Sequence, residues 1–505
     1  MDQNSKTRQK LLVYNSVTSL FSQVVTVLSG FILTKLVLQH FGSETNGLVS
    51  SITQFLGFIA FLEMGIGAVV KSALYKPLAE KDFFEASRVV ISTKRFYRKI
   101  GYILVAYTVI LTVVFPLIAG SDYSWLFTAS LVVIISISLF AQYFLGMAYQ
   151  LFLNADQRTY IPTIVTCGTL IINTIISAVL MKWGASIQIV KLSGSLIYLV
   201  RPAFYAIYVK KKYPLNENIE LNEEPLKQKW NGVAQHLAYV VVNYTDIVVL
   251  TLLSTLSNVS IYTVYHNVTI GVQQIISSIS VGISAMLGNV LYSETKERLQ
   301  KNFGLVEWFF HAITTLMFTL TGMLIVQFVQ VYTNGVNDAN YNVPIFAILI
   351  TVAQASYSIR TPYETMVITA NHFKQTQLSA IIEMIINIIV SVVLVKGWGL
   401  IGVAIGTLAA MTYRTIYFVL YLHKNILNYN LLNFMKHIGI DLLQVTICLA
   451  VGKLFNFHMH DNTWLSWLLY AVVTGFTCVC VCFGVQMIFN RDYLKTIFSR
   501  LKGNR

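Results

Sequence analysis

Charged residues are scarce in this chain. Only 11% of its 505 residues are Asp, Glu, Lys or Arg, whereas soluble globular proteins carry about 25%. Hydrophobic residues make up 55% of the sequence, and the mean hydropathy is +0.64. A soluble core cannot absorb that much apolar surface, but a lipid bilayer can. The composition therefore predicts an integral membrane protein.

Cysteine is also rare, and the chain offers no disulfide framework or zinc motif. Three of its five cysteines alternate in one apolar stretch, as Cys478, Cys480 and Cys482. Alternate residues on a helix diverge by about 200°, so these thiols cannot converge on one ion. The single His458-Met459-His460-Asp461 run lies in a predicted loop and is a weak metal signal. We therefore assign no metal and no cofactor.

Catalytic motifs are absent as well. The sequence shows no motif typical of a catalytic carboxylate pair, a nucleophile–base pair or a glycine-rich phosphate-binding loop. It also lacks a sizeable extramembrane domain on which acid–base residues could be held. We therefore predict a protein that is not an enzyme, and a membrane-embedded sugar polymerase or glycosyltransferase is the less favoured alternative.

Apolar stretches of about 20 residues, the length that spans a bilayer as a helix, recur throughout the chain. Fourteen such stretches are present. They begin near Leu11, Gly47, Gly101, Trp125, Pro162, Ile187, Gly232, Ile261, Leu305, Val343, Gln375, Leu400, Ile438 and Trp464.

The positive charges orient these spans. If the N-terminus is cytoplasmic and the connections alternate, 28 of the 36 Lys and Arg residues fall in cytoplasmic segments. External loops hold only Lys182 and Lys396, and the remaining six cations lie within spans. This bias follows the positive-inside rule and predicts that both termini are cytoplasmic. Because the cations line one membrane face, the net charge of +14 does not indicate nucleic-acid binding.

An internal repeat divides the chain. The segment from Asn154 aligns with the segment from Ala370, and Asn173, Ser177 and Lys182 match Asn387, Ser391 and Lys396. The copies are separated by an even number of spans and so share one orientation. We predict an all-α membrane fold of two six-helix lobes related by a pseudo-two-fold axis along the membrane normal. The predicted divisions are an N-terminal lobe (1–210), a cytoplasmic linker (211–230), a C-terminal lobe (231–425), and two extra helices with a basic tail (426–505).

Three segments resemble a known family. HFGSETNGLVSSITQFLGFIAFLEMGIGAVVKSALYKPLAEKD (40–82) is similar to the start of Wzx-type polysaccharide-biosynthesis flippases. YTDIVVLTLLSTLSNVSIYTVYHNV (244–268) resembles the beginning of their second lobe, and IINIIVSVVLVKGWGLIGVAIGTLAAM (385–411) resembles its closing helix pair. The superfamily also includes drug/sodium antiporters and the lipid II flippase.

The resemblance implies transport of an oligosaccharide repeat unit on undecaprenyl pyrophosphate from the inner to the outer leaflet by alternating access, for surface or capsular polysaccharide. It implies a bacterial plasma membrane and a cationic cavity for the pyrophosphate. Partners would be the lipid-linked substrate, the bilayer, and the polysaccharide polymerase and export machinery. Some family members couple transport to Na⁺, H⁺ or the membrane potential. A cation-coupled drug antiporter and a lipid II flippase remain alternatives of the same architecture.

Cations within the spans are the candidates for binding the pyrophosphate, because a charge near mid-bilayer is costly unless it faces a wet interior. Arg201, Arg414 and Arg360 are expected at comparable depth, and arginine donates bidentately to phosphate. Snorkelling to the headgroups, or an Arg360–Glu364 pair, is the structural alternative. Lys191 lies near the outer end of its span, where snorkelling is favoured.

Acidic and amide side chains within the spans are the candidates for ion coupling. Glu63 and Asp246 are the deepest acids, and Asn243 lies one turn before Asp246. Such oxygens could bind Na⁺ or a proton, but a structural interhelical bond is the favoured alternative.

Overall fold

The computed structural model describes residues 3–63, 65–119, 123–216, 219, 233–293, 295–372, 374–428, 430–454 and 462–501. Every regular element in these ranges is helical. This confirms the predicted all-α membrane fold. Ten helical segments are long and apolar enough to cross a membrane. Most of the predicted linker, and the segment His458 to Asp461, lie outside the described residues.

The described residues form 17 helices, of which nine precede the middle of the chain. They are α1 (Gln3–Gly57), α2 (Ile66–Glu80), α3 (Phe83–Ile118), α4 (Trp125–Ala141), α5 (Met147–Ala155), α6 (Tyr160–Lys182), α7 (Ile187–Tyr198), α8 (Val200–Lys212) and α9 (Val233–Leu253). A 3₁₀ segment, Phe58–Glu63, follows α1, and a π-helical turn, Gln142–Gly146, joins α4 to α5.

Eight helices follow. They are α10 (Leu256–Ser293), α11 (Lys296–Tyr332), α12 (Pro344–Thr369), α13 (Gln377–Trp398), α14 (Leu400–Leu422), α15 (Leu431–Leu454), α16 (Trp464–Phe489) and α17 (Arg491–Leu501). A π-helical turn, His423–Leu427, extends α14.

The predicted spans match these helices closely. The predicted starts at Trp125, Ile187, Leu400 and Trp464 are the first residues of α4, α7, α14 and α16. The first two predicted spans form one continuous element, α1, with a kink at Gly42, where φ is 83° and ψ is 174°. Only glycine adopts that conformation without steric cost, so Gly42 separates the two spans.

The charged segment from Lys71 to Lys99, which the distribution of Lys and Arg predicts to be cytoplasmic, is mostly helical. α2 and α3 extend into it and meet at a tight turn in which Lys81 has φ 57°. Asp82 caps α3 by accepting a hydrogen bond from the Glu85 N–H at 3.0 Å. An N-terminal cap of this kind satisfies a backbone donor that has no partner within the helix. A stretch that reads as a charged loop is therefore a helical turn.

The chain forms two compact units, Met1–Leu252 and Leu253–Arg505. Contacts place most of α9 in the first unit, since Ser51 and Thr251 share a hydrogen bond of 2.7 Å and Tyr244 packs on Gly57. The lobe boundary predicted from the sequence lies before α9, and that division stays a prediction.

The repeat is visible in the backbone. Gln157 and Asn371, which align in the two copies, both have φ 58°. Each lies two residues after the end of a helix, α5 in the first copy and α12 in the second. Positive φ is uncommon for residues other than glycine. Its recurrence at aligned positions supports a duplication over a chance likeness of apolar helices.

Candidate substrate site

Close helix packing brings the arginines of each copy against the preceding helix. A Cβ at Gly194 would lie 2.6 Å from Oδ1 of Asn173, and a Cβ at Gly406 would lie 2.2 Å from Oγ of Ser391. Both glycines therefore let a helix pair approach to backbone contact. The same interfaces carry polar bonds, because Asn173 donates to the Tyr198 hydroxyl at 3.0 Å and Asn387 donates to the Thr407 hydroxyl at 3.3 Å.

In the second unit, two of the predicted arginines share one carboxylate. Arg360 Nη1 on α12 donates to Glu383 Oε1 at 2.6 Å, and Arg414 Nη1 on α14 donates to Glu383 Oε2 at 2.7 Å. All three side chains are buried, at 4–5% exposure. Glu364 Oε2 lies 3.4 Å from Arg360 Nε, which is the pair expected from the i, i+4 spacing.

The charges of this triad largely cancel. Two guanidinium groups face Glu383 and the partly exposed Glu364. Aromatic rings cover the remaining faces, with Tyr357 4.3 Å from the Arg360 guanidinium and Phe418 4.9 Å from that of Arg414. The Nε atoms of both arginines are buried without a hydrogen-bond partner among the described residues. The site is thus electrically balanced but retains unused donors.

In the first unit, Arg201 is held by neutral groups. Its Nε donates to Thr169 Oγ1 at 2.7 Å, and its guanidinium lies 4.0 Å from the Tyr198 ring centroid. Tyr198 is in turn held by Asn173. Within the described part of the chain, no carboxylate pairs with Arg201, and its buried Nη2 has no hydrogen-bond partner. Its positive charge is therefore uncompensated.

One position distinguishes the two copies. Thr169 lies four residues before Asn173, and Glu383 lies four residues before Asn387. Both side chains accept a hydrogen bond from the repeat-related arginine, Arg201 or Arg414. The sequence alone does not identify Glu383 as the shared partner. Its alignment with Thr169 is the signal that could have identified it.

Lys191 lies in the second turn of α7 and is half-buried. It makes no hydrogen bond or ion pair with the described residues. It remains a candidate for contacting an anionic substrate from the predicted outer end of its helix.

Glu63 ends the 3₁₀ segment after α1. Its Oε1 accepts a hydrogen bond from the Tyr143 hydroxyl at 2.6 Å, and the Tyr143 ring lies 6.1 Å from that of Tyr97. A carboxylate can bind a cation or carry a proton, which is the chemistry expected of an ion-coupling residue.

The other two ion-coupling candidates lie on α9. Asp246 is buried at 2% exposure, whereas Asn243, one turn earlier, is exposed. Tyr244 packs against Gly57 and, with rings 5.6 Å apart, against Phe58. This contact places the α9 candidates on a helix that adjoins the segment ending at Glu63.

Comparison with known proteins identifies the fold but not the family. No protein-family model and no curated protein matches the chain. Among solved structures, the lipid II flippase MurJ in an inward closed conformation superposes with a TM-score of 0.72 at 16% identity, covering 95% of this chain and 100% of MurJ. An inward-facing multidrug resistance MATE transporter of the MOP superfamily gives 0.60 at 15% identity, covering 81% and 98%. The Vibrio cholerae MATE transporter VcmN, in a mutant form, gives 0.59 at 12% identity, covering 86% and 100%.

These identities are low, so the likeness speaks to architecture alone. Nearly the full length of each of the three transporters is matched, and all of them are membrane proteins. The chain is a multi-pass helical membrane protein with the fold shared by MurJ and the MATE transporters of the MOP superfamily.

Proposed function

We propose that this protein is a flippase for lipid-linked oligosaccharides. Its substrate is an undecaprenyl-pyrophosphate-linked repeat unit, which it moves from the inner to the outer leaflet of a bacterial plasma membrane by alternating access. The translocated repeat unit is then used for surface polysaccharide synthesis. The polysaccharide polymerase and the export machinery are therefore its partners in this proposal. The MurJ-like fold and the Wzx-like sequence segments support this class of substrate.

The observation that carries the proposal is the uncompensated charge of Arg201. Arg201 is partly buried and its Nη2 atom is fully buried. A cation without a counter-charge inside a membrane-spanning segment is costly and is retained where a ligand supplies the charge. A pyrophosphate that links a lipid to a sugar carries two negative charges, and pairs of its phosphoryl oxygens can accept two hydrogen bonds from a guanidinium fork. The buried Nη2 of Arg201 has no hydrogen-bond partner among the described residues and provides a free donor for it.

Arg360 and Arg414 take a secondary role in this proposal. Glu383 already occupies one nitrogen of each, so a phosphate oxygen must displace a carboxylate oxygen, or use Arg414 Nε, which has no hydrogen-bond partner among the described residues. Lys191 would contact the anion late in the cycle, near the predicted outer end of α7. Glu63, Asp246 and Asn243 would bind a coupling Na⁺ or proton.

The test is leaflet accessibility in proteoliposomes. The full chain is reconstituted with a glycan-labelled undecaprenyl-pyrophosphate oligosaccharide, and a membrane-impermeant quencher reports which leaflet holds the label. Protein-dependent movement of the label supports the proposal. If the labelled lipid does not move while cationic dyes are transported, the protein is a drug antiporter.

Thr169→Glu is the sharpest variant. It places a carboxylate against Arg201, as Glu383 is placed against Arg414, and so neutralises the cation internally. We expect at least a tenfold loss of flipping with unchanged expression, since about 1.4 kcal/mol of lost binding is tenfold. Thr169→Gln is the matched control, because it has similar size and no charge and should retain most activity. If the two variants flip the lipid equally well, Arg201 does not bind the substrate.

The double variant Arg201→Ala, Arg414→Ala tests the repeat-related pair in cells. Surface polysaccharide export should be abolished while the protein remains in the membrane. Normal export would exclude both arginines as pyrophosphate ligands.

A further inference from the structure

A second buried polar cluster lies in the second unit. The hydrogen bonds that join its members do not involve Arg360, Arg414 or Glu383. It joins α11, α12 and α15 and consists of Glu307, His311, Tyr363 and Asp441. Glu307 is fully buried, and His311 and Asp441 are 1% and 7% exposed. Buried ionisable groups are expensive within a membrane and mark functional sites by default. The proposed flippase chemistry uses none of these four residues.

The four side chains form a continuous chain of polar contacts. Asp441 Oδ2 lies 2.6 Å from His311 Nδ1, and His311 Nε2 lies 3.4 Å from the Tyr363 hydroxyl. Tyr363 donates to Glu307 Oε1 at 2.6 Å. Two carboxyl groups are thereby linked through an imidazole and a phenol, which are groups that can pass a proton between them.

If all three contacts are hydrogen bonds, they need three hydrogens, whereas a neutral imidazole and a phenol supply two. With Tyr363 donating to Glu307, the tyrosine oxygen is the acceptor in its contact with His311 Nε2. An ionised Asp441 likewise accepts from Nδ1–H. Satisfying both ends therefore makes His311 an imidazolium, or else Asp441 carries the proton. Asp441 Oδ1 is buried without a hydrogen-bond partner among the described residues, which leaves a place for one more proton.

A small crevice adjoins the cluster. It has a volume of about 10 Å³, and its lining includes Glu307, Tyr363, His423 and Asn430. That volume is about the space that one water molecule needs. His423 begins the π-helical turn after α14, and Asn430 precedes α15, so the crevice lies at the end of these helices that is predicted to face the cytoplasm.

The surroundings contain further groups that respond to protons. On α15, the ring of His437 stacks 5.2 Å from His311, and Lys436 is exposed beside it. On α17, Tyr493 lies 6.4 Å from His437. On α16, the neutral Gln486 accepts a hydrogen bond from Trp308 of α11. A proton held at His311 would therefore change the charge at the joint between α11 and the last helices.

We propose that Glu307, His311, Tyr363 and Asp441 form a proton-binding site of the transport cycle, loaded from the crevice beside His423. Uptake converts the imidazole to imidazolium or a carboxylate to its acid, and the proton comes from water. The coupling part of this inference rests on the proposed transport function, whereas the proton site itself does not.

The first experiment measures the proton site without any substrate. The full chain in nanodiscs is titrated while infrared difference spectra record the carbonyl stretch of buried protonated carboxyl groups and the ring vibrations of imidazolium. We expect one of these bands in the wild type and its loss or reduction in Glu307→Gln and Asp441→Asn. Glu297→Gln, at the exposed start of α11, is the control and should leave the band unchanged.

A variant that fails to fold would not spoil this test. Tyr363→Phe keeps both carboxyl groups and removes only the hydroxyl between them, so it should shift the midpoint of the band. If neither the carboxyl nor the imidazolium band appears in the wild type, or if Glu307→Gln, Asp441→Asn and Tyr363→Phe all leave the observed band unchanged, the proton site is wrong.

The second experiment measures coupling. Proteoliposomes with the labelled undecaprenyl-pyrophosphate oligosaccharide and a pH-sensitive dye inside are given a pH gradient. A gradient of one unit is worth about 1.4 kcal/mol, or up to tenfold in rate. We expect flipping in the wild type to follow the gradient and flipping in Glu307→Gln to ignore it.

The two experiments can contradict the proton site, the coupling and the proposed function independently of one another. Gradient-dependent flipping that persists in both Glu307→Gln and Asp441→Asn overturns the coupling. A wild type that moves no labelled lipid overturns the proposed function, while the infrared titration still decides the proton site.

Discussion

Glu383 is the residue on which the charge balance of the second unit depends. Replacing it by Gln leaves Arg360 and Arg414 buried without their shared counter-charge. Breaking a buried ion pair on one side costs about 3–5 kcal/mol. We therefore expect Glu383→Gln to lower the thermal unfolding midpoint markedly, measured by tryptophan fluorescence in detergent.

Two other variants calibrate that result. Arg414→Gln should cost less, because Glu383 keeps its bond to Arg360. Glu364→Gln should cost at most about 1 kcal/mol, because its side chain is 28% exposed and solvent screens the pair. A Glu383→Gln protein as stable as the wild type would mean that the shared carboxylate does not hold the two arginines in this way.

At this scale the sequence predicts some features and misses others. Arg201, Arg360 and Arg414 stand out because a charge in an apolar span is conspicuous. Their partners do not, because Thr169 and Glu383 become partners only when two helices pack at small residues. The His311–Asp441 contact joins residues of separate helices, so no local spacing in the sequence predicts it.

Helix pairing depends on where a glycine meets a neighbour. A Cβ at Gly406 would lie 2.2 Å from Ser391 Oγ and 2.8 Å from Ser391 N, so α13 and α14 would have to separate. We expect Gly406→Ala to cost about 1–3 kcal/mol, as overpacking does, seen as a lower unfolding midpoint. Gly439→Ala on α15 meets nothing within 4 Å and should be neutral or slightly stabilising. Similar midpoints for the two variants would contradict the close approach.

Element boundaries were predictable where a polar cap adjoins an apolar run. Ser124, for example, precedes α4 and accepts a hydrogen bond from the Phe127 N–H, and the predicted start at Trp125 is correct. Charged connections were harder to predict. Lys71 to Lys99 reads as a loop by charge alone, and its helical turn depends on Asp82 and on the left-handed conformation of Lys81.

The orientation of the whole molecule remains a prediction from the distribution of Lys and Arg. We expect Asp338→Cys, in a predicted external loop, to react with a membrane-impermeant maleimide in intact cells. Lys301→Cys, near the start of α11, should react only after permeabilisation. A cysteine-free background removes labelling of Cys480, the exposed native thiol. The reverse pattern would invert the topology.

The architecture was the most predictable level. Span length is set by bilayer thickness, so apolar runs alone locate the helices. The repeat could be read from Asn173 and Asn387 because polar residues in apolar helices are few and their spacing survives. The grouping of α9 with α1 could not be predicted from the sequence, because it depends on tertiary contacts such as that of Tyr244 with Gly57.

The difference between Thr169 and Glu383 has an evolutionary consequence. In one copy the arginine, Arg414, has an internal counter-ion in Glu383, whereas in the other copy no described carboxylate pairs with Arg201. Selection should then act differently on the two positions. An acid should be retained at 383 for folding, while the residue at 169 should vary with the charge of the cargo, and homologues that carry neutral or cationic cargo should tolerate an acid there.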